Sequence, residues 1–132
     1  VTQLIYENVG ELSHLPPFAQ IAGLYQNPGE LSQEIENYLI AGSIIATPEL
    51  FLIFKPIKKD IPPESQWYVE DPDCYYVRWA SGQGSLKKMM DLVKPLPWVT
   101  FQRVTKNGDL PYRYYEWNKI YRNIARFSHG SI

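Results

Sequence analysis

Asp73-Cys74-Tyr75-Tyr76-Val77-Arg78-Trp79-Ala80-Ser81-Gly82-Gln83-Gly84-Ser85 runs directly into Leu86-Lys87-Lys88-Met89-Met90-Asp91-Leu92-Val93-Lys94. The first block is aromatic and β-branched as far as Trp79, which predicts a strand over 73–79. In the second, Leu86, Met89, Met90 and Val93 recur at helical spacing, with Lys87, Lys88, Asp91 and Lys94 on the opposite side. That pattern predicts an amphipathic helix with Ser85 as its N-cap, stopped by Pro95 and Pro97. A strand thus enters a helix through Gly82-Gln83-Gly84. Glycine lets a backbone approach a ligand closely, and the amides of a first helical turn lie at the positive end of the helix dipole, so the junction suits an anion such as pyrophosphate. It lacks the third glycine of a dinucleotide fingerprint and the Gly-Lys-Ser/Thr ending of a P-loop. The plain structural alternative is that the two glycines only make a sharp turn.

Outward from this junction, the other elements follow from local signals. Asn27-Pro28-Gly29-Glu30 supplies an N-cap, a proline at the first helical position and an acid in the first turn, ahead of Leu31, Ile35, Tyr38 and Leu39 on one face. A helix to about Ala41, ended by Gly42, is predicted. Ser43–Thr47 and Leu50–Ile57 read as an antiparallel hairpin about Pro48-Glu49, and the polar stretch 58–71 with Pro62-Pro63 as an excursion between strands. Beyond the second helix, Trp98–Val104 and Tyr112–Tyr115 read as strands joined by a tight turn at Asn107-Gly108. Trp117, Ile120, Tyr121 and Ile124 mark a terminal helix, with Ser128–Ile132 as a frayed tail. At the other end, Gln3–Tyr6 is a candidate strand, and 14–24 has helical spacing interrupted by Pro16-Pro17. The expected architecture is α+β: a central, mostly antiparallel mixed sheet flanked by helices, with 1–132 forming one domain.

The balance of 13 Lys+Arg against 14 Asp+Glu argues against a chain that coats a nucleic acid. A single cysteine, Cys74, has no partner for an internal disulfide and no Cys or His neighbour at metal-ligand spacing. No metal is expected, and a reducing setting is, either cytoplasmic or inside a virion. No apolar run approaches the ~18 residues that span a bilayer, so no membrane partner is expected. Ten Tyr and four Trp are the unusual feature, serving cores and recognition surfaces alike.

The order strand, Gly-x-Gly, amphipathic helix, strand, preceded by an antiparallel pair, resembles the GNAT superfamily of acetyl-CoA-dependent acyltransferases. The likeness covers 43–104, and its specific part is Tyr75 to Leu86. It implies that the amides of the glycine loop hold the CoA pyrophosphate and that the fourth and fifth strands splay to admit the pantetheine arm. Carried onto this chain, the cofactor-binding residues are Val77, Arg78, Trp79, Gly82, Gln83, Gly84, Ser85 and Leu86, and the cofactor is acetyl-CoA. The family pattern is Arg/Gln-x-x-Gly-x-Gly/Ala; here Trp79 holds the Arg/Gln position and Arg78 stands one residue early. The family also places a helix after its fifth strand, where Asn107-Gly108 implies a direct hairpin. In that respect the chain resembles the toxin-activating lysine acyltransferases, a divergent branch, or small phage-encoded GNAT-like proteins. That branch uses an early His, which His14 matches, and an acid on the strand before the loop, where Arg78 stands instead.

Acyl transfer from a thioester to an amine needs a base, an oxyanion stabiliser and an acid for the departing thiolate. His14 suits the base at neutral pH, with Glu116, Glu70 and Asp73 as alternatives by charge. By the same resemblance Tyr115 or Tyr114 is the general acid; alternation places them on opposite faces of their strand. Cys74 has no neighbour to lower its pKa and reads as buried and inert. A bulky Gly84→Val change is expected to abolish CoA binding. Two other functions fit the same residues. Arg78 and Trp79 departing from the motif, no evident base and the aromatic abundance fit a GNAT-like protein that has lost catalysis and holds a protein partner. Arg113, Lys119, Arg122 and Arg126 interleaved with Tyr112, Tyr114, Trp117 and Tyr121 fit stacking on single-stranded bases, against which the net charge of −1 stands.

Overall fold

The structure, a computed structural model, describes residues 28–47, 49–102 and 112–130. The first strand and helix expected before residue 27, His14 among them, and the Asn107-Gly108 turn lie outside the described residues. Helix α1 (Pro28–Ala41) leads into strands β1 (Ser43–Ala46), β2 (Phe51–Ile57) and β3 (Cys74–Ser81). Helix α2 (Ser85–Leu92), strands β4 (Trp98–Gln102) and β5 (Tyr112–Glu116), and helix α3 (Trp117–Gly130) complete the order. The sheet runs β1-β2-β3-β4-β5 and is antiparallel throughout except for β3 and β4. Parallel neighbours need a crossover connection, and α2 supplies it.

Side-chain alternation assigns each helix to a face. Leu52, Phe54, Tyr75, Val77 and Val99 turn to one side, where Met89 and Met90 of α2 and Trp117 of α3 complete the main core. Phe51 and Ile53 turn to the other, against Leu31, Ile35 and Tyr38 of α1. β2 is therefore apolar on both faces, as a strand covered on both sides must be. Pro56 is tolerated in it because the β1 register reaches only Phe54, leaving the missing N–H opposite no β1 residue. The β1–β2 turn is tied by Thr47, whose N–H donates to the Leu50 carbonyl at 2.8 Å while its Oγ1 accepts from the Leu50 N–H at 3.1 Å. The segment between β2 and β3 makes one short 3-10 turn, Pro63–Ser65. It is pinned by Gln66, whose Oε1 accepts from Lys58 N–H at 2.6 Å and whose Nε2 donates to the Ile61 carbonyl at 2.8 Å.

Two sequence expectations change. Gly84, in the left-handed conformation at φ 76°, is the N-cap of α2, and Ser85 is already helical. The terminal helix runs on through Ser128 to Gly130, where a frayed tail was expected. The two loop glycines have different roles. A Cβ on Gly82 would lie 2.2 Å from the Glu49 carbonyl oxygen and 2.7 Å from Leu50 Cα, whereas one on Gly84 meets nothing within 4 Å. Gly82→Ala should therefore cost about 2–4 kcal/mol in urea denaturation, because backbone must move. Gly84→Ala should cost only about 1 kcal/mol, from its positive φ.

Candidate functional site

β3 and β4 pair in parallel up to the residue before Arg78. Their register runs from Cys74↔Trp98 to Val77↔Phe101, one residue short of Gln102, the last described residue of β4. Past that point β3 follows β2 as far as Ser81, and Gln102 of β4 follows Tyr112 of β5. The next residue of β3 forms a bulge: Ile53 pairs with Trp79 but Phe54 pairs with Val77, so Arg78 is an extra residue opposite β2. A bulge bends its strand and increases the local twist.

The loop at the end of β3 lies on the β1–β2 turn through Gly82 and opens at Gly84. No side chain caps α2, and the first amide with a helical acceptor is that of Lys88, which donates to the Gly84 carbonyl at 3.0 Å. The amides ahead of it are the groups a helix cannot satisfy by itself. Gly82, Gln83 and Gly84 are exposed, Ser85 is buried and Leu86 is half-buried against the core. Lys87 pairs with Asp91 at 2.6 Å, and the Tyr121 hydroxyl donates to the same carboxylate at 2.8 Å, fastening α2 to α3. Those two contacts hold the Asp91 carboxyl below its ordinary range, the Lys87 bond first.

The remaining sequence candidates fall on both faces. Val77 turns into the main core beside α2. Arg78 and Trp79 turn to the α1 side, where Glu34 accepts from Arg78 Nε at 3.2 Å and from Trp79 Nε1 at 3.4 Å. Tyr115 lies on the α2 face, its ring stacked on Phe101 at 4.9 Å. Tyr114 lies on the opposite face, where its hydroxyl accepts from the Asp60 N–H at 3.2 Å and Lys59 Nζ sits 5.2 Å over its ring. The sheet separates it from the glycine loop. Asp73 accepts from the Lys59 N–H at 2.8 Å, Glu116 pairs with Lys119 at 2.8 Å, and Glu70 is exposed. Cys74 is fully buried, and burial pushes its thiol up to about 12. Of the basic and aromatic residues near the C-terminus, Arg113 and Arg122 are exposed, while Trp117 is buried in the core and Tyr121 is engaged with Asp91. The side chains of Tyr112 and Arg126 lie outside the described residues.

One group was not anticipated. Lys55, at an inward position of β2, is 1% exposed. Its ammonium lies 3.5 Å over the Trp67 ring, with Tyr38 at 5.7 Å and Tyr76 at 6.0 Å. Burial lowers its pKa to about 8, against the upward pull of Glu64 and Glu34. The available signal was a lone cation inside the otherwise apolar run Phe51–Ile57. Trp67 also borders a shallow cleft of about 370 Å³ shared with Asn37, Ile40 and Tyr68. Among the described residues no three His, Cys, Asp or Glu side chains gather as a metal would require, and no helix is long and apolar enough to cross a membrane. Comparisons with protein-family models, curated proteins and solved structures find no match.

The lowered pKa of Lys55 sets a pH dependence. Between about 8 in the folded chain and 10.5 unfolded, the unfolded state binds the additional proton, so stability rises with pH across that window. The rise attributable to Lys55 should be about 3 kcal/mol, complete above the unfolded pKa and flat below the folded one. Lys55→Met should remove this slope and raise stability at pH 7 by about 1–3 kcal/mol, the lost ring contacts offsetting part of the gain. Urea denaturation of both proteins from pH 7 to 10.5 measures it.

Proposed function

We propose that the chain is an acyl-CoA-binding N-acyltransferase of GNAT-like design, moving an acetyl group from acetyl-CoA to an amine. The observation that carries this is the start of α2, reached from β3 through Gly82 and Gly84, with no side-chain cap and with open space at Gly84. The CoA pyrophosphate would accept from the amides at the start of α2, where partial positive charge and open space coincide. The pantetheine arm would enter where, by the resemblance, β3 and β4 splay beyond Val77 and Phe101, placing the thioester carbonyl beside Val77–Trp79 and Val99–Phe101. Backbone donors there would stabilise the oxyanion as the amine nitrogen attacks and the carbon–sulfur bond breaks.

Tyr115 supports the assignment of the acid. It is on the α2 face, against Phe101, and Phe101 is the last β4 residue in register with β3. Its hydroxyl would give the proton to the departing thiolate, while the amine's surplus proton leaves to a base, for which His14 is the candidate by resemblance. Tyr114, on the other face and bonded to Asp60, is assigned no part in transfer.

Calorimetric titration with acetyl-CoA should give saturable binding, and desulfo-CoA should bind comparably because the pyrophosphate contacts are kept. At a hundredfold excess over Kd the ligand should add about 2.7 kcal/mol to stability. Gly84→Val would confuse strain with occlusion. Gly84→Asn avoids this, since Asn tolerates a positive φ; it should lower affinity at least about tenfold with little change in stability. Absence of binding by the wild-type chain would refute the proposal. Tyr115→Phe keeps the Phe101 stack and should lower kcat about a hundredfold at nearly unchanged acetyl-CoA affinity.

A further inference from the structure

Side chains of successive strand residues point to opposite faces, yet Tyr76, Arg78 and Trp79 all turn to the α1 side of the sheet. Tyr76 packs in the cluster with Ile57 and Cys74, and Trp79 packs against the cluster built on α1. The bulge is what permits this, since the extra residue at position 78 repeats the phase of its neighbour. Glu34 of α1 holds both repeated side chains at once. Its Oε1 takes the Arg78 guanidinium through Nε and Nη2, each at 3.2 Å, and its Oε2 takes the Trp79 indole N–H at 3.4 Å. The guanidinium also lies 4.7 Å over the Trp79 ring, so the pair is locked as a unit. The ion pair is about 28% exposed on each side, shielded enough for charge-assisted bonds to order the side chains that make them.

We infer that Glu34 is a positioning residue: by clamping Arg78 and Trp79 it fixes the β3 bulge and so sets where the Gly82–Gly84 loop sits. The functional half of this inference rests on the acyl-CoA proposal, because that loop is the place given to the CoA pyrophosphate. Without the Glu34 carboxylate, Arg78 and Trp79 lose the acceptor they share, and β3 can slide toward regular alternation that carries Arg78 or Trp79 into the main core. A polar or oversized side chain there is unfavourable, so the outcome is a bulge that migrates or opens, not a new fixed register.

Hydrogen exchange resolved by residue, together with acetyl-CoA titration, tests this on the full chain as wild type, Glu34→Gln, Glu34→Ala and Arg78→Met. In Glu34→Ala the amides from Trp79 to Gly82 should exchange about tenfold faster while those of β4 and β5 keep their rates, the mark of a local opening. Glu34→Gln, which retains an oxygen acceptor and a similar shape, should restore most of the protection, and Arg78→Met should reproduce the Ala result. Acetyl-CoA affinity should fall about tenfold in Glu34→Ala and recover in Glu34→Gln. Unchanged exchange at 79–82 in Glu34→Ala would overturn the positioning role, as would a uniform acceleration across the sheet, which signals ordinary loss of stability. Wild-type chain that fails to bind acetyl-CoA would instead refute the acyl-CoA proposal, and the exchange measurements would still decide the role of Glu34 in the bulge.

Discussion

Between Val77 and Trp79, β3 carries one residue more than β2 opposite it, and the geometry of the α2 face depends on that extra residue. Up to Val77 the strand has two described neighbours, β2 antiparallel and β4 parallel; beyond it, β3 continues beside β2 as far as Ser81. Gly82 fits against the carbonyl of Glu49 with no room for a side chain, which ties the loop to the β1–β2 turn and fixes the direction from which α2 begins. Met89 and Met90 anchor the helix to the core, and the Lys87–Asp91–Tyr121 bonds join it to α3. A rigid frame thus surrounds a helix start whose first amides have no helical acceptor.

The opposite face works on different physics. There the sheet is covered by α1 and by the segment between β2 and β3, and its centre holds a cation. The Lys55 ammonium lies over the faces of three rings, and burial lowers its pKa to about 8 against the upward pull of Glu64 and Glu34. On the same face Glu34 and Arg78 form an ion pair. Polar groups on the α1 face therefore hold strands and covering segment in place, and the α2 face carries the geometry proposed for chemistry.

The elements with strong local signals were legible in the sequence. The Asn27-Pro28-Glu30 start with Leu31, Ile35 and Tyr38 specified α1, and the Leu/Met spacing specified α2, because both patterns are contained within a few turns. The glycine loop was legible as a junction for the same reason. Its cap shifted from Ser85 to Gly84 because a left-handed backbone, not a hydroxyl, ends the loop. What could not be read was register. The bulge at Arg78 is a relation between β3 and β2, and the Glu34–Arg78 contact joins residues 44 apart; no periodicity encodes either. Alternation correctly separated Tyr114 from Tyr115, but which of them faces α2 required knowing the side on which the crossover helix packs. Lys55 is not legible in the sequence because a single cation in an apolar run carries no partner there; its rings come from α1, the connecting segment and β3.

The most direct test is a nuclear magnetic resonance experiment on the chain with and without acetyl-CoA. Cross-strand contacts between β3 and β4 should extend to Val77 and Phe101 and cease there, and acetyl-CoA should shift amide signals chiefly at 78–88 and 99–102. A ladder of contacts continuing along β3 to Ser81, or ligand shifts confined to other parts of the chain, would contradict the account.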